Sequence, residues 1–164
     1  MNAPRIPAWR RPIDAFAGSR LGSRLLARFA PRGDVALLRL TKGRFALTFG
    51  LPVLLLTTTG RKSGEPRATP LLYLRHGDAV AVIGTKFGSP REPAWALNLR
   101  ANPRAVVLLA GEEWSASARL TTGDERSALW EQARSIYGGF DKYQARVGER
   151  EIPIFVLERT AQAD

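Results

Sequence analysis

A short turn at residues 60–64 holds the densest group of side chains that could do chemistry. It reads Gly-Arg-Lys-Ser-Gly, and Arg67 follows in the next segment. Two cations, a hydroxyl group and the backbone N–H groups of a turn together bind phosphate or carboxylate oxygens. Lys86 would join the same anion site if the fold brings its loop close. Hairpin tips also carry lysine and arginine simply for solubility, so the turn alone leaves both interpretations open.

A set of aromatic residues is the second candidate. Tyr137, Phe140 and Tyr143 are spaced three apart, which predicts that they share one face of a helix or ordered loop, and Trp95 lies in an earlier segment. Such rings would wall a planar ligand. Ordinary core packing is the more common reason for this spacing.

The composition excludes several kinds of catalysis. The chain has no cysteine and a single histidine, His76, which rules out disulfide frameworks, cysteine nucleophiles and zinc sites built from Cys or several His. His76 stands in a His-Gly-Asp sequence between two apolar runs, where a solvated turn residue is expected rather than a catalytic base. If the chain is an enzyme, this composition points to an organic cofactor that carries the reaction.

The positive charge is concentrated at the start of the chain. The net charge is +10, and residues 1–44 supply +8 of it, with ten Arg or Lys residues against two Asp residues. After a tail at 1–12, apolar residues recur every fourth position beside a stripe of arginines, which predicts a basic amphipathic helix over 13–32. Its apolar face either lies on a membrane surface or covers the core. We expect residues 1–44 to be an appendage and residues 45–160 to be the folded domain.

The remaining elements are short strands at nearly even spacing. We expect strands at 53–59, 67–74, 79–84, 105–110, 114–120 and 152–158, and helices at 93–100, at 122–136 and, less regularly, at 137–147. The second helix begins with a capping box from Thr122 to Glu125. About six antiparallel strands with two to three covering helices predict an α+β, mainly β, barrel rather than a doubly wound sheet. No Gly-x-Gly-x-x-Gly or Walker sequence is present.

Several segments resemble the deazaflavin-dependent nitroreductase family. They occur in the family's order between Leu51 and Arg159, at 54–64, 66–67, 70–74, 85–86, 93–99, 101–103 and 152–154. The resemblance implies a split β-barrel of the FMN-binding type, with coenzyme F420, a 5-deazaflavin, in a groove beside the hairpin.

The resemblance also implies which residues hold the coenzyme. Its phosphate and glutamate tail would be bound by Arg61, Lys62, Ser63, Arg67 and Lys86. Its ring would lie along Ile83, Gly84 and Thr85, in a pocket framed by Pro93, Ala94, Trp95 and Asn98.

The acceptor side of the implied site differs from the nitroreductase pattern. There a small hydroxyl residue and three tyrosines contact the acceptor, and they match Thr85, Tyr137, Phe140 and Tyr143. Phe140 replaces the middle tyrosine and removes a hydrogen-bond donor, which predicts weak or absent nitroimidazole reduction. Quinone reduction stays open.

These observations favour a reductase that passes a hydride from reduced F420 to a small apolar acceptor such as a quinone. No secretory signal is visible, so a cytoplasmic protein is expected, held peripherally at the inner face of the membrane through residues 13–32. One alternative is a split-barrel oxidoreductase that binds FMN. Another is a non-enzymatic basic module that binds a membrane surface or nucleic acid, although nucleic acid is not expected as a partner of the enzyme.

Overall fold

The computed structural model describes residues 35–41 and 52–160. The predicted tail at 1–12, the amphipathic helix at 13–32 and the boundary between residues 44 and 45 lie outside the described residues. Residues 35–40 are helical and place Leu38 in contact with Val53 and Leu55.

Six antiparallel strands form a closed barrel, which confirms the predicted fold class. The strands are β1 (Val53–Thr59), β2 (Pro66–His76), β3 (Ala79–Ile83), β4 (Arg104–Leu109), β5 (Glu112–Leu120) and β6 (Ile154–Arg159). Their order around the barrel is β1-β2-β3-β6-β5-β4. The last strand begins two residues later than predicted because Pro153 has no N–H group to donate to the ladder.

Besides the helical residues 35–40, the described chain has three α-helices beside the barrel, namely α1 (Ala94–Ala101), α2 (Gly123–Ile136) and α3 (Gly139–Val147). Within the described parts of the chain, no helix combines the length and apolar character that a membrane crossing requires. Thr122 precedes α2 as predicted. The predicted capping box is not formed, because the Thr122 side chain makes no capping hydrogen bond. Glu125 instead binds Arg119 and His76.

Alternation along the strands separates two apolar layers. The barrel interior and α1 share one cluster, which includes Leu54, Leu56, Val82, Trp95, Leu99, Val107, Phe155 and Leu157. A second cluster lies between the outer face of β3 and β6 and the helices α2 and α3, and includes Ala81, Leu129, Ala133, Phe140, Ile154 and Val156.

The register places several connections at one end of the barrel. Thr59 pairs with Pro66, so the hairpin turn between β1 and β2 lies at this end. Because β3 runs antiparallel to β2, its last residue also lies toward this end, where Ile83 pairs with Ile154 at the start of β6. The fold therefore brings the hairpin turn and the loop after β3 to the same end.

Candidate functional site

The hairpin turn is closed by its own backbone. Gly64 donates its N–H to the Gly60 carbonyl at 2.7 Å, and Gly60 donates to the Glu65 carbonyl at 2.8 Å. A Cβ on Gly60 would lie 2.7 Å from Ser63 Oγ and 3.1 Å from the Glu65 carbonyl oxygen, so a side chain there would crowd the turn. Gly64 adopts a φ of 71°, a backbone conformation that favours glycine. The turn exposes the side chains between these glycines.

We call Arg61, Lys62, Ser63 and Arg67 the cationic tip. Its three cations are exposed, and within the described residues none has a carboxylate partner. Elsewhere in the described chain Arg75, Arg91 and Arg104 are also exposed without a carboxylate partner, so the cationic tip is distinguished by having three such cations within seven residues. Five other arginines are paired with carboxylates, namely Arg100, Arg119, Arg126, Arg134 and Arg159. The backbone N–H groups of Lys62 and Ser63 likewise meet no acceptor among the described residues. Uncompensated cations beside unused N–H donors fit an anionic phosphate or carboxylate group.

Asn98 connects the cationic tip to α1. Its Oδ1 accepts the backbone N–H of Arg61 at 3.1 Å, and its Nδ2 donates to Thr58 Oγ1 at 3.0 Å. The side chain is buried, with 4% of the residue exposed. Asn98 was predicted to frame the coenzyme pocket, but its hydrogen-bond partner Thr58 was not predicted from sequence.

The loop after β3 is held by close backbone contacts. Gly84 donates its N–H to the Pro153 carbonyl at 2.8 Å, and a Cβ on Gly84 would lie 2.7 Å from Pro153 Cγ. Lys86 and Phe87 follow with φ values of 44° and 55°, which are costly for residues with side chains and are commonly found at functional sites. Thr85 is half-buried and Lys86 is exposed. Because both follow the last residue of β3, they lie at the same barrel end as the cationic tip.

The predicted aromatic residues lie together, but not on one helix, because Tyr137 ends α2 whereas Phe140 and Tyr143 lie on α3. Tyr137, Phe140 and Tyr143 are 5%, 4% and 3% exposed, and the two phenol oxygens are 3.1 Å apart. The ring of Phe87 meets Tyr143 edge to face at 6.2 Å between centroids. Phe87 was not predicted from sequence, although this contact joins the loop after β3 to α3.

The residues predicted to frame the coenzyme ring differ in exposure. Ala94 is exposed, whereas Pro93, Trp95 and Asn98 are buried. The Trp95 ring packs inside the barrel, edge to face against Phe155 at 5.8 Å. Its assignment to the pocket stays a prediction.

His76 belongs to a charged network away from this end. It is the last residue of β2 rather than a turn residue, and its Nε2 lies 2.9 Å from Glu125 Oε1. Hydrogen bonds from Arg119, with a smaller contribution from His76, lower the pKa of Glu125 to about 2. Across the described residues no group of His, Asp and Glu is arranged to hold a metal ion.

The closed six-stranded barrel carries unpaired cations at one end, a combination suited to a cofactor with an anionic tail. The chain belongs to the F420H(2)-dependent quinone reductase family, whose model matches residues 30–159. This finding confirms the resemblance to deazaflavin-dependent proteins that the sequence motifs indicated.

Two relatives from Mycobacterium tuberculosis support the assignment. One, an F420H(2)-dependent quinone reductase, is 35% identical over 129 residues, which cover 76% of this chain and 86% of the relative. The other, described as a putative F420H(2)-dependent quinone reductase, is 34% identical over 107 residues, covering 65% of this chain and 89% of the relative.

Solved structures agree with these relatives. An F420-H2 dependent reductase, FDR-A, shares 35% identity with a TM-score of 0.60, covering 65% of this chain and 94% of that chain. A structure described as a domain-swapped dimer shares 32% identity with a TM-score of 0.63, covering 76% of this chain and 94% of that chain. A heme-binding protein from Mycobacterium smegmatis, at 18% identity and a TM-score of 0.51, shares the fold.

The chain is therefore an oxidoreductase, and its cofactor is coenzyme F420. The family assignment replaces both alternatives left open by the sequence, an FMN-dependent enzyme and a non-enzymatic basic module. The family assignment covers the cofactor and the class of reaction, and the electron acceptor is a separate assignment.

Proposed function

We propose that the enzyme transfers a hydride from reduced F420 to a quinone. The observation that carries the proposal is the cationic tip, whose unpaired cations lie at the same barrel end as Thr85 and Lys86. The quinone fits the description of the family and of the relatives.

The cationic tip and Lys86 would hold the phosphate and glutamate tail of the coenzyme. Ile83, Gly84 and Thr85 would line its ring, with Pro93, Ala94 and Trp95 at the edge of the pocket. The reduced deazaflavin supplies the hydride when it is bound. The protein's part would be to orient coenzyme and acceptor and to exclude water. Thr85, Tyr137, Tyr143 or water would supply the proton to the reduced acceptor.

The aromatic cluster supports a quinone over a nitroimidazole. Phe140 occupies the position between Tyr137 and Tyr143 and offers no hydroxyl group. A site that recognises a polar acceptor through such a donor loses discrimination when the donor is absent. We propose weak or absent nitroimidazole reduction for this reason.

A quinone substrate also gives the basic segment a role. Membrane quinones lie beside anionic headgroups, and residues 1–44 carry +8 of the net charge. We propose that residues 13–32 bring the enzyme to an anionic membrane. Full-length protein should sediment with phosphatidylglycerol vesicles at low salt and much less with phosphatidylcholine vesicles. Equal sedimentation with both would contradict a role for charge.

One experiment tests cofactor and acceptor together. Fluorescence titration with F420 should show binding, and reduced F420 should then be oxidised faster with a panel of quinones than with a panel of nitroimidazoles. Faster turnover of nitroimidazoles would refute the proposed acceptor, while absence of F420 binding would refute the proposed binding site.

A further inference from the structure

Asn98 makes the hydrogen bond that ties the cationic tip to the body of the protein. Residues 61–64 make one hydrogen bond to a residue outside the β1–β2 hairpin, from the Arg61 N–H to Asn98 Oδ1. No second bond of this kind occurs among the described residues. The other bonds of the turn join Gly60 to Gly64 and Glu65. The turn is thus closed on itself and attached at one point.

The attachment is made to a rigid element. Asn98 lies on α1 between residues whose side chains fill the barrel interior, including Trp95 and Leu99. Thr58, which is 2% exposed, accepts the amide N–H of Asn98 and holds its Oδ1 toward Arg61. A buried amide with both ends in use has a fixed orientation.

We infer that Asn98 is a positioning residue for the coenzyme's anionic tail and acts through the backbone of Arg61 rather than by touching the coenzyme. This inference rests on the proposed role of the cationic tip. Holding the turn in its binding conformation lowers the entropy lost when phosphate and carboxylate groups are bound. Asn98 Oδ1 accepts the Arg61 N–H and its Nδ2 donates to Thr58 Oγ1, so both ends of the amide are engaged by groups of the protein itself.

The anionic tail and the ring of the coenzyme should depend differently on the Asn98 attachment. Loss of the attachment should weaken binding of the anionic tail and leave binding of the ring unchanged. The two probes are therefore intact F420 and the deazaflavin ring with its ribityl chain but without phosphate and glutamates. A role in general stability would weaken the binding of both probes together.

Asn98→Leu removes both hydrogen bonds at similar volume. We expect F420 affinity to fall about tenfold, as for one well-placed hydrogen bond, with the affinity of the tail-less probe within about twofold of the original. In the coenzyme-free protein, hydrogen exchange of the Arg61 amide should become faster. The matched control is Asn102→Leu, since Asn102 also accepts a backbone N–H, from Arg104 at 3.1 Å, but does not contact the turn.

Thr58→Val provides a second test if Asn98→Leu does not fold. This substitution keeps Asn98 Oδ1, which accepts the Arg61 N–H, and removes the Thr58 hydroxyl, which orients the Asn98 amide. We therefore expect a smaller loss of F420 affinity and a partial increase in the hydrogen-exchange rate of the Arg61 amide. Equal losses for both probes, or unchanged F420 affinity with slow Arg61 exchange, would overturn the inference. Unchanged F420 affinity in Lys62→Ala would instead refute the cationic tip itself, which separates the two failures.

Discussion

The phenol oxygens of Tyr137 and Tyr143 lie 3.1 Å apart, with the ring of Phe140 packed against both residues. The three rings sit where α2 passes into α3, and Phe87 extends the contact to the loop after β3. This arrangement links the proposed acceptor side of the site to the segment that presents Thr85 and Lys86. Substitutions in it should therefore affect turnover as well as stability.

Phe140→Tyr restores the hydroxyl that the nitroreductase pattern has at this position. We expect nitroimidazole reduction to rise, because the new tyrosine hydroxyl would lie beside the phenols of Tyr137 and Tyr143, which are hydrogen-bonded to each other. The measurement is kcat/KM for a nitroimidazole and for a quinone under the same conditions. Phe140→Leu, which removes the ring without adding a donor, should give no gain, and a gain in that control would contradict the explanation.

Two adjacent glycines should respond oppositely to alanine. A Cβ on Gly139 would lie 2.3 Å from the Tyr137 ring, so Gly139→Ala must displace that ring and should destabilise the protein by about 1–3 kcal/mol. Gly138 has open space around its Cβ position and a φ of −67°, and Gly138→Ala should stabilise by about 0.4–1 kcal/mol. Urea unfolding measures both, and equal effects would refute the packing described for Tyr137.

Lys62→Ala should weaken F420 binding by about 1.5–3 kcal/mol, the contribution of one hydrogen bond to a charged group. The loss should shrink as salt is added, because screening weakens the wild-type interaction. Lys142→Ala, which removes an exposed lysine from α3, is the control and should leave the dissociation constant unchanged. Fluorescence titration provides the measurement, and equal affinity for both variants would count against the proposed anion site.

The Glu125 carboxylate should make stability depend on acidic pH. Its pKa is lowered from 4.5 to about 2, mainly by the hydrogen bond with Arg119, so its ionised form stabilises the folded state. The contribution is present above pH 4.5 and is lost as pH falls from 4.5 toward 2. Wild-type protein should thus exceed Glu125→Gln in stability at pH 7, with the difference shrinking over that interval.

The control for this prediction is Glu113→Gln. Glu113 is exposed and has no ion pair within the described part of the chain. Its replacement should leave the pH dependence of urea unfolding as in wild type. A Glu125→Gln profile parallel to wild type through the acidic range would show that the Arg119 interaction does not stabilise the fold.

Local patterns identified most of the fold. Short β-branched and apolar runs bounded by turn residues located the strands to within two residues at each boundary. Proline at residue 93 and Asn-Pro at 102–103 marked the two ends of α1. The capping-box prediction failed because Glu125 pairs instead with Arg119, which lies on β5 just before the loop that leads into α2.

The strands, the cationic tip and the family motifs are predictable from sequence, because each depends on residues within a few positions of one another. Which of them meet depends on the three-dimensional fold. Barrel closure sets the register that brings Gly84 against Pro153 and Asn98 against the backbone of Arg61, 37 residues away in sequence. Such contacts depend on how strands and helices cross in space, which local periodicity does not encode.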